Sequence, residues 1–235
     1  MTNQLRHFGC CVTIATLSLL FAGRTTMAQD PVKLSPDSYK VVLENDSVRV
    51  INVSVKVGEK AAMHAHPDYA AYVTSGGKVK FTYPDGKSKE VELKAGETTW
   101  SKAETHATEN VGKTDAKLVI FELKKSAPAS PKAKTPASDD QMHVAPESTK
   151  VLLDNERVRL LDVHLKAGGK LAKHSHPAYV GYAVSDSKIK VTGPDGKTEE
   201  KAMTAGQAMG HEATTHTVEN AGAAEIHSLV LEMKD

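Results

Sequence analysis

Two stretches decide the fold of this chain: Gly58-Glu-Lys-Ala-Ala-Met-His64-Ala-His66-Pro67 and Gly168-Gly-Lys-Leu-Ala-Lys-His174-Ser-His176-Pro177. They stand 110 residues apart, and the offset holds far beyond them. Sliding the sequence against itself by 110 aligns Val32–Lys124 with Met142–Lys234 without a gap, at 37 identities in 93 positions. Chance does not produce such a match, so the chain carries one unit of about 90 residues twice, an ordinary size for a small domain. Other paired landmarks are Pro36 with Pro146, Asn45 with Asn155, Arg49 with Arg159, and Pro84-Asp85-Gly86-Lys87 with Pro194-Asp195-Gly196-Lys197.

Within each unit apolar residues alternate with polar ones, as in Lys78-Val79-Lys80-Phe81-Thr82, a period of two that belongs to strands. The phase slips between Val50 and Ile51 and again between Leu160 and Leu161, which reads as a β-bulge or strand bend. Turn chemistry separates the runs at Glu44-Asn45-Asp46, Val57-Gly58-Glu59, Ser75-Gly76-Gly77, Pro84-Asp85-Gly86 and Ala95-Gly96. Many short strands closed by turns, with no convincing long helix, predict an all-β sandwich or barrel.

The first residues differ from the rest. Arg6 and His7 precede an apolar run from Phe8 to Ala22, and Thr26-Met27-Ala28 carries small residues at the positions a signal peptidase reads, so residues 1–28 are expected to be a signal peptide. The run is shorter than the ~20 residues of a bilayer span and is interrupted by Thr13, Thr16 and Ser18, which disfavours a membrane anchor. The expected compartment is periplasmic or extracellular. Cys10 and Cys11 leave with the signal, which removes disulfides, a Cys nucleophile and Cys metal ligands from the mature protein. Arg6 and Arg24 leave too, so 28 basic side chains face 29 acidic ones. Such a balance gives no electrostatic basis for a nucleic-acid or membrane partner. The expected partner is a small molecule, with a homo-oligomer left open. Residues 126–140, with three prolines and nothing to bury, read as a Pro/Ala/Ser tether between unit one (32–125) and unit two (141–235).

His64 and His66 are two apart in an apparent strand and leave the same face. His106 follows after another turn, and His174, His176 and His216 repeat the set. Three imidazoles suit a divalent Zn, Fe, Mn, Ni or Cu ion and leave positions open for water or substrate. Exposed strand histidines are the alternative, against which stands the retention of all three in two units that differ at most positions.

These residues resemble the cupin family. Gly, five residues and His-x-His leading into a strand with Tyr72 or Tyr182 are similar to the first cupin motif. Gly96 before His106-Ala-Thr-Glu-Asn110, and Gly206 before His216-Thr-Val-Glu-Asn220, are similar to the second. The resemblance spans nearly the whole mature chain and implies two tandem jelly-roll barrels (double-stranded β-helices), with any metal held inside each by the three histidines. The chain departs from the family where a Glu usually supplies a fourth ligand, since the slots hold Tyr69, Ala70 and Ala71, or Tyr179, Val180 and Gly181. It departs again before the third histidine, where Lys102-Ala103-Glu104 and Glu212-Ala213-Thr214 replace the usual Pro-x-Gly. Without the carboxylate, the strongest Coulombic contact to a cation is missing.

The units also diverge from each other: Trp100-Ser101 matches Gly210-His211. Tyr72, Trp100, Tyr182 and His211 are pocket candidates, with packing as the alternative for the three aromatic residues; His211 could serve as a fourth ligand or proton shuttle in the second unit, with a surface role as the alternative. Tyr69 and Tyr179 are expected to pack, and Glu109 and Glu219 could orient the third histidine, with solvated strand ends as the alternative. Three functions follow: an exported module binding a small ligand or divalent metal, a dioxygenase-like metal enzyme, and a scaffold without metal. The absence of an obvious general acid or base beside the ligands favours the first over the second.

Overall fold

The computed structural model describes residues 29–124 and 137–234. The expected signal, residues 1–28, and most of the expected tether lie outside the described residues. The first unit holds β1 (Tyr39–Glu44), β2 (Val48–Val55), β3 (Lys60–His66), β4 (Tyr69–Ser75), β5 (Gly77–Thr82), β6 (Ser88–Leu93), β7 (Thr98–Ser101), β8 (Glu104–Asn110) and β9 (Ala116–Leu123). The second repeats them as β10 (Thr149–Asp154), β11 (Val158–Leu165), β12 (Lys170–His176), β13 (Tyr179–Ala183), β14 (Ser187–Thr192), β15 (Thr198–Met203), β16 (Ala208–His211), β17 (Thr214–Asn220) and β18 (Ile226–Met233).

Each unit closes a five-stranded sheet on a four-stranded one. The orders are β1-β2-β9-β4-β7 with β3-β8-β5-β6, and β10-β11-β18-β13-β16 with β12-β17-β14-β15, so the second unit has the topology of the first. The two jelly-roll barrels are those the cupin resemblance implied. One helical turn precedes each barrel: Asp30 caps α1 (Pro31–Leu34) by accepting from the Val32 amide, and Asp140 caps α2 (Gln141–Val144) in the same way. Of the segment read as tether, Ala137–Asp139 forms a 3-10 turn and Asp140 belongs to the second barrel's entry.

The phase slip in β2 has a different cause from the expected bulge. β2 pairs with β9 in unbroken register from Val48↔Leu123 to Val55↔Ala116. Its even residues Val48 and Val50 face one way and its odd residues Ile51, Val53 and Val55 the other, and both sets are buried. The odd set joins Tyr39, Ala61, Tyr69, Ala71 and Ile120 inside the barrel. The even set joins Ala70, Tyr72, Val119, Phe121 and Leu123 in a cluster that continues into Val158, Leu160, Val180, Tyr182, Leu229 and Leu231 of the other barrel. The five-stranded sheets therefore share one core across a seam, and a strand buried on both faces loses its clean alternation. The bulge itself lies in β1, where Val42 is the extra residue between Val41↔Ile51 and Leu43↔Val50, and β10 repeats it.

Polar contacts fix the seam. Asn52 donates to the Gly206 carbonyl at 2.8 Å and accepts from the Tyr182 hydroxyl at 2.9 Å, while Arg157 reaches Asp68 at 3.3 Å. Phe121, fully buried, meets the Tyr182 ring edge-on at 6.1 Å. Each large apolar side chain removed from water in such a seam contributes roughly 1.5–3 kcal/mol before entropy is counted.

Candidate metal centre

Strict alternation cannot put both Ala61 and His64 inside the barrel. A bulge does so: β3 pairs with β8 at Ala61↔Thr108 and then at His64↔His106, so β3 carries one extra residue, which turns His64 and His66 inward. β12 repeats the shift between Leu171 and His174 against β17. The glycine opening each motif, Gly58 or Gly168, has positive φ (76° and 69°), a conformation that favours glycine and forms the turn into the strand. The result is two buried clusters that can hold a metal ion, His64-His66-His106 and His174-His176-His216, with the donor atoms of each within 4.8 Å of one another.

The tautomers of the strand histidines follow from their partners. His64 and His174 place Nδ1 2.7 Å from the Ala62 and Ala172 carbonyls, which can only accept, so Nδ1 carries the proton. His66 and His176 place Nδ1 2.6 Å from Glu122 and Glu232. Those carboxylates are buried and also bind guanidinium groups, Arg49 to Glu122 and Arg159 to Glu232, each at 2.6 Å. Arg49 continues to Asp30 at 2.7 Å and Arg159 to Asp140 at 2.6 Å. Although burial alone would lower them, these carboxylates hold both arginines above their ordinary range. The carboxylates accept, the imidazoles donate from Nδ1, and all four strand histidines are left with an Nε2 lone pair, the arrangement in which a second layer of groups orients a metal ligand.

His174 Nε2 and His216 Nε2 stand 3.1 Å apart. Nitrogens bound at ~2.1 Å to one ion lie about 3.0 Å apart at a right angle and about 3.4 Å apart at the tetrahedral angle. In the first cluster His106 Nδ1 is buried with no hydrogen-bond partner among the described residues, the Glu104 carboxylate standing 3.7 Å away. Burial, reinforced by the neighbouring imidazoles, pushes His106 and His216 down to about 3. Burial likewise takes His174 down to about 4 and lowers His64. The imidazoles of His64, His106, His174 and His216 are thus neutral at physiological pH, the state in which imidazole ligates. Their donor set fits a divalent transition metal.

The barrels are not equivalent. A cavity of about 610 Å³ opens beside the second cluster, lined by His174, His176, Tyr179, His211 and His216 among largely apolar side chains, whereas the first barrel keeps about 140 Å³. The difference lies in its filling. Tyr39 sits with its hydroxyl 3.5 Å from both His64 Nε2 and Thr108, and Phe81 lies edge-on to His106 at 5.2 Å. Their matched positions hold Thr149 and Val191. Gly181, matching Ala71, has open space where a Cβ would stand.

Of the pocket candidates, His211 lines the second cavity and stacks on Tyr179 at 4.7 Å. Tyr72 and Trp100 do not face a pocket: they lie on the seam side of their sheet, Trp100 packed against the shared core with Lys102 5.6 Å above its ring. Tyr182 borders the second cavity but belongs to the seam core, its hydroxyl spent on Asn52 and its pKa pushed up to about 12 by burial. Tyr residues three apart in one strand face opposite ways, so the ones facing the barrels are Tyr69 and Tyr179. Tyr69 donates to Glu104 at 2.5 Å. Glu109 and Glu219 pair with Lys60 and Lys170 near the surface, and orienting the ligands falls to Glu122 and Glu232 instead. Sequence reasoning missed the Asp-Arg-Glu chains, although all three residues recur at the 110-residue offset.

The described residues thus form a cupin-type fold, two tandem jelly-roll barrels with a histidine cluster inside each. No protein-family model and no curated protein matches the chain. Solved structures do: oxalate decarboxylase from Bacillus subtilis, studied for its Mn(II) centres, superposes with TM-score 0.57 at 15% identity, covering 88% of this chain and 72% of its own. AerE from Microcystis aeruginosa superposes with TM-score 0.58 at 14% identity, covering 84% and 98%. At such identities the likeness carries the fold.

Proposed function

We propose that this chain is an exported cupin whose second barrel binds a small organic anion on a divalent transition metal. The carrying observation is the oriented cluster His174-His176-His216 opening onto the larger cavity. His174, His176 and His216 would hold the ion, with Glu232 and Arg159 fixing His176. The ion would supply Lewis-acid polarisation of whatever oxygen, nitrogen or sulfur it meets. Three neutral imidazoles leave the charge of a divalent ion uncompensated in the ligand shell, which favours a carboxylate, enolate or thiolate. Mostly apolar walls favour a hydrocarbon body on that anion. The first barrel, filled by Tyr39 and Phe81, leaves no comparable space and serves as the structural half.

His211 favours a second reading, an enzyme. It stands in the cavity wall on Tyr179 where the first barrel has Ser101, and a titratable imidazole there can pass protons to a bound ligand. Elemental analysis of the mature protein tests the shared premise, repeated on His64→Ala with His66→Ala and on His174→Ala with His176→Ala. Metal content should fall with the second pair, and small carboxylates should then raise the thermal midpoint of wild type alone. Negligible metal under every loading condition sinks both readings. Turnover that His211→Ala abolishes while metal is retained selects the enzyme.

A further inference from the structure

We propose that the second barrel carries another metal site, on its outer face at the end of the seam, in which Asp162, His164 and His227 bind a borderline divalent cation such as Zn2+. Asp162 and His164 continue the seam-facing row of β11 begun by Val158 and Leu160, and His227 of β18 is the direct cross-strand partner of His164. The two imidazoles stack at 4.1 Å with 19° between their planes, side by side at the end of the seam. Both turn Nε2 toward the Asp162 carboxylate, with His227 Nε2 2.6 Å from Oδ1 and His164 Nε2 3.5 Å from Oδ2. One donor atom from each residue lies within 4.8 Å of the others.

The surroundings call for a cation. His164 Nδ1 is 3.0 Å from Glu225 and its Nε2 faces Asp162, so the ring stands between two carboxylates, which only accept. A cation beside Nε2 and the Asp162 carboxylate is matched by the negative charge gathered there. It takes the place of the proton between His227 and Asp162, which His227 then carries on Nδ1. Two imidazoles and one carboxylate suit Zn2+ or Cu2+ rather than Mg2+ or Ca2+. His164 is half exposed and Asp162 and His227 are partly so, which gives an ion entry and leaves room for water in its shell. The edge of Tyr72, from the other barrel, stands 6.1 Å from His227 and closes one side.

This site is no echo of the internal clusters. The matched positions of the first barrel hold Asn52, Ser54 and Lys117, so it arose in one unit only. Those residues also furnish the test, since Asp162→Asn and His164→Ser install side chains already accepted at the equivalent places. The full mature chain and this double variant are dialysed against Zn2+ alone and assayed for bound zinc. Wild type should bind one equivalent more than the variant. As a second measurement, zinc should shift the imidazole nitrogen resonances of His164 and His227 in wild type, and His227→Gln should abolish the shift at His164. Equal zinc content in wild type and double variant, or unmoved resonances at saturating zinc, overturns the proposal. Both results are independent of whether the internal clusters are loaded.

Discussion

Glu232→Gln isolates the charge behind the second metal cluster. The substitution keeps the shape of a side chain that is 2% exposed and removes the anion that His176 Nδ1 and Arg159 share, each at 2.6 Å. Charge-assisted hydrogen bonds contribute roughly 1.5–3 kcal/mol and neutral ones about 0.5–1.5, so weakening two of them should destabilise the metal-free protein by about 2–3 kcal/mol. Arg159 keeps Asp140, so the loss stays below the ~3–5 kcal/mol of a buried pair broken outright. For a chain of this size that is a fall of roughly 5–10 °C in the thermal midpoint. A ligand whose orienting partner is weakened should also bind metal ~10- to 100-fold less tightly. Denaturant titration with chelator gives the first number, and zinc competition against a chromophoric chelator the second. Asp140→Asn is the control: it touches Arg159 only at the partly exposed end and should cost about 1 kcal/mol with little change in metal affinity. Wild-type metal affinity in Glu232→Gln, or equal loss of affinity in Asp140→Asn, refutes the claim that the carboxylate acts through His176.

Further outcomes follow from the same geometry. Burial holds His106, His174 and His216 neutral in the fold down to pH 3–4 while the unfolded chain protonates near 6.5; the unfolded state therefore binds more protons between these values. Stability of the metal-free protein should be intact above pH 6.5 and fall on acidification at roughly 1.4 kcal/mol per pH unit for each histidine, read from denaturation midpoints between pH 7.5 and 4.5. Val191→Phe should carry the first barrel's plug into the second, abolishing stabilisation by small carboxylates while metal content is unchanged. Tyr39→Thr with Phe81→Val should do the reverse, opening the first barrel at a cost of about 3–5 kcal/mol, measured by denaturant titration. Phe121→Ala should destabilise the chain by about 3–5 kcal/mol in one transition, since its ring fills the core that both barrels share; two separate transitions in wild-type calorimetry would refute that sharing.

The internal repeat, the strand alternation and the turns made two all-β units legible in the sequence, because strands and turns rest on local chemistry, and the resemblance to the cupin motifs implied that each is a barrel. The seam was not legible. Val50-Ile51 looks the same whether a strand bends or is buried on both faces, and only the continuous pairing of β2 with β9 decides between them. The six histidines could be read from spacing, yet what turns His64 with His66 and His174 with His176 inward is an extra residue before each pair, and nothing in Ala62-Met63 or Ala172-Lys173 announces a bulge. Glu122 escaped for a related reason: it sits between Phe121 and Leu123 in an apolar strand, 56 residues from His66, and only the fold brings carboxylate and imidazole together.

Duplication explains why the two clusters differ while their supports do not. Arg49 and Glu122 recur as Arg159 and Glu232 because each holds the other: removing either strands a buried charge in either barrel, whatever that barrel does, while Asp30 and Asp140 meet the guanidinium at its partly exposed end. Cavity walls lack that interdependence. Tyr39 and Phe81 can fill one barrel, and Thr149 and Val191 leave the other hollow, without disturbing the ladder or the seam. An unfilled cavity forfeits packing, which the shared core of Phe121, Tyr182, Leu229 and Leu231 is placed to offset. The filled barrel therefore supports the hollow one, and loosening the seam should weaken ligand binding in the second barrel even though none of its histidines has moved.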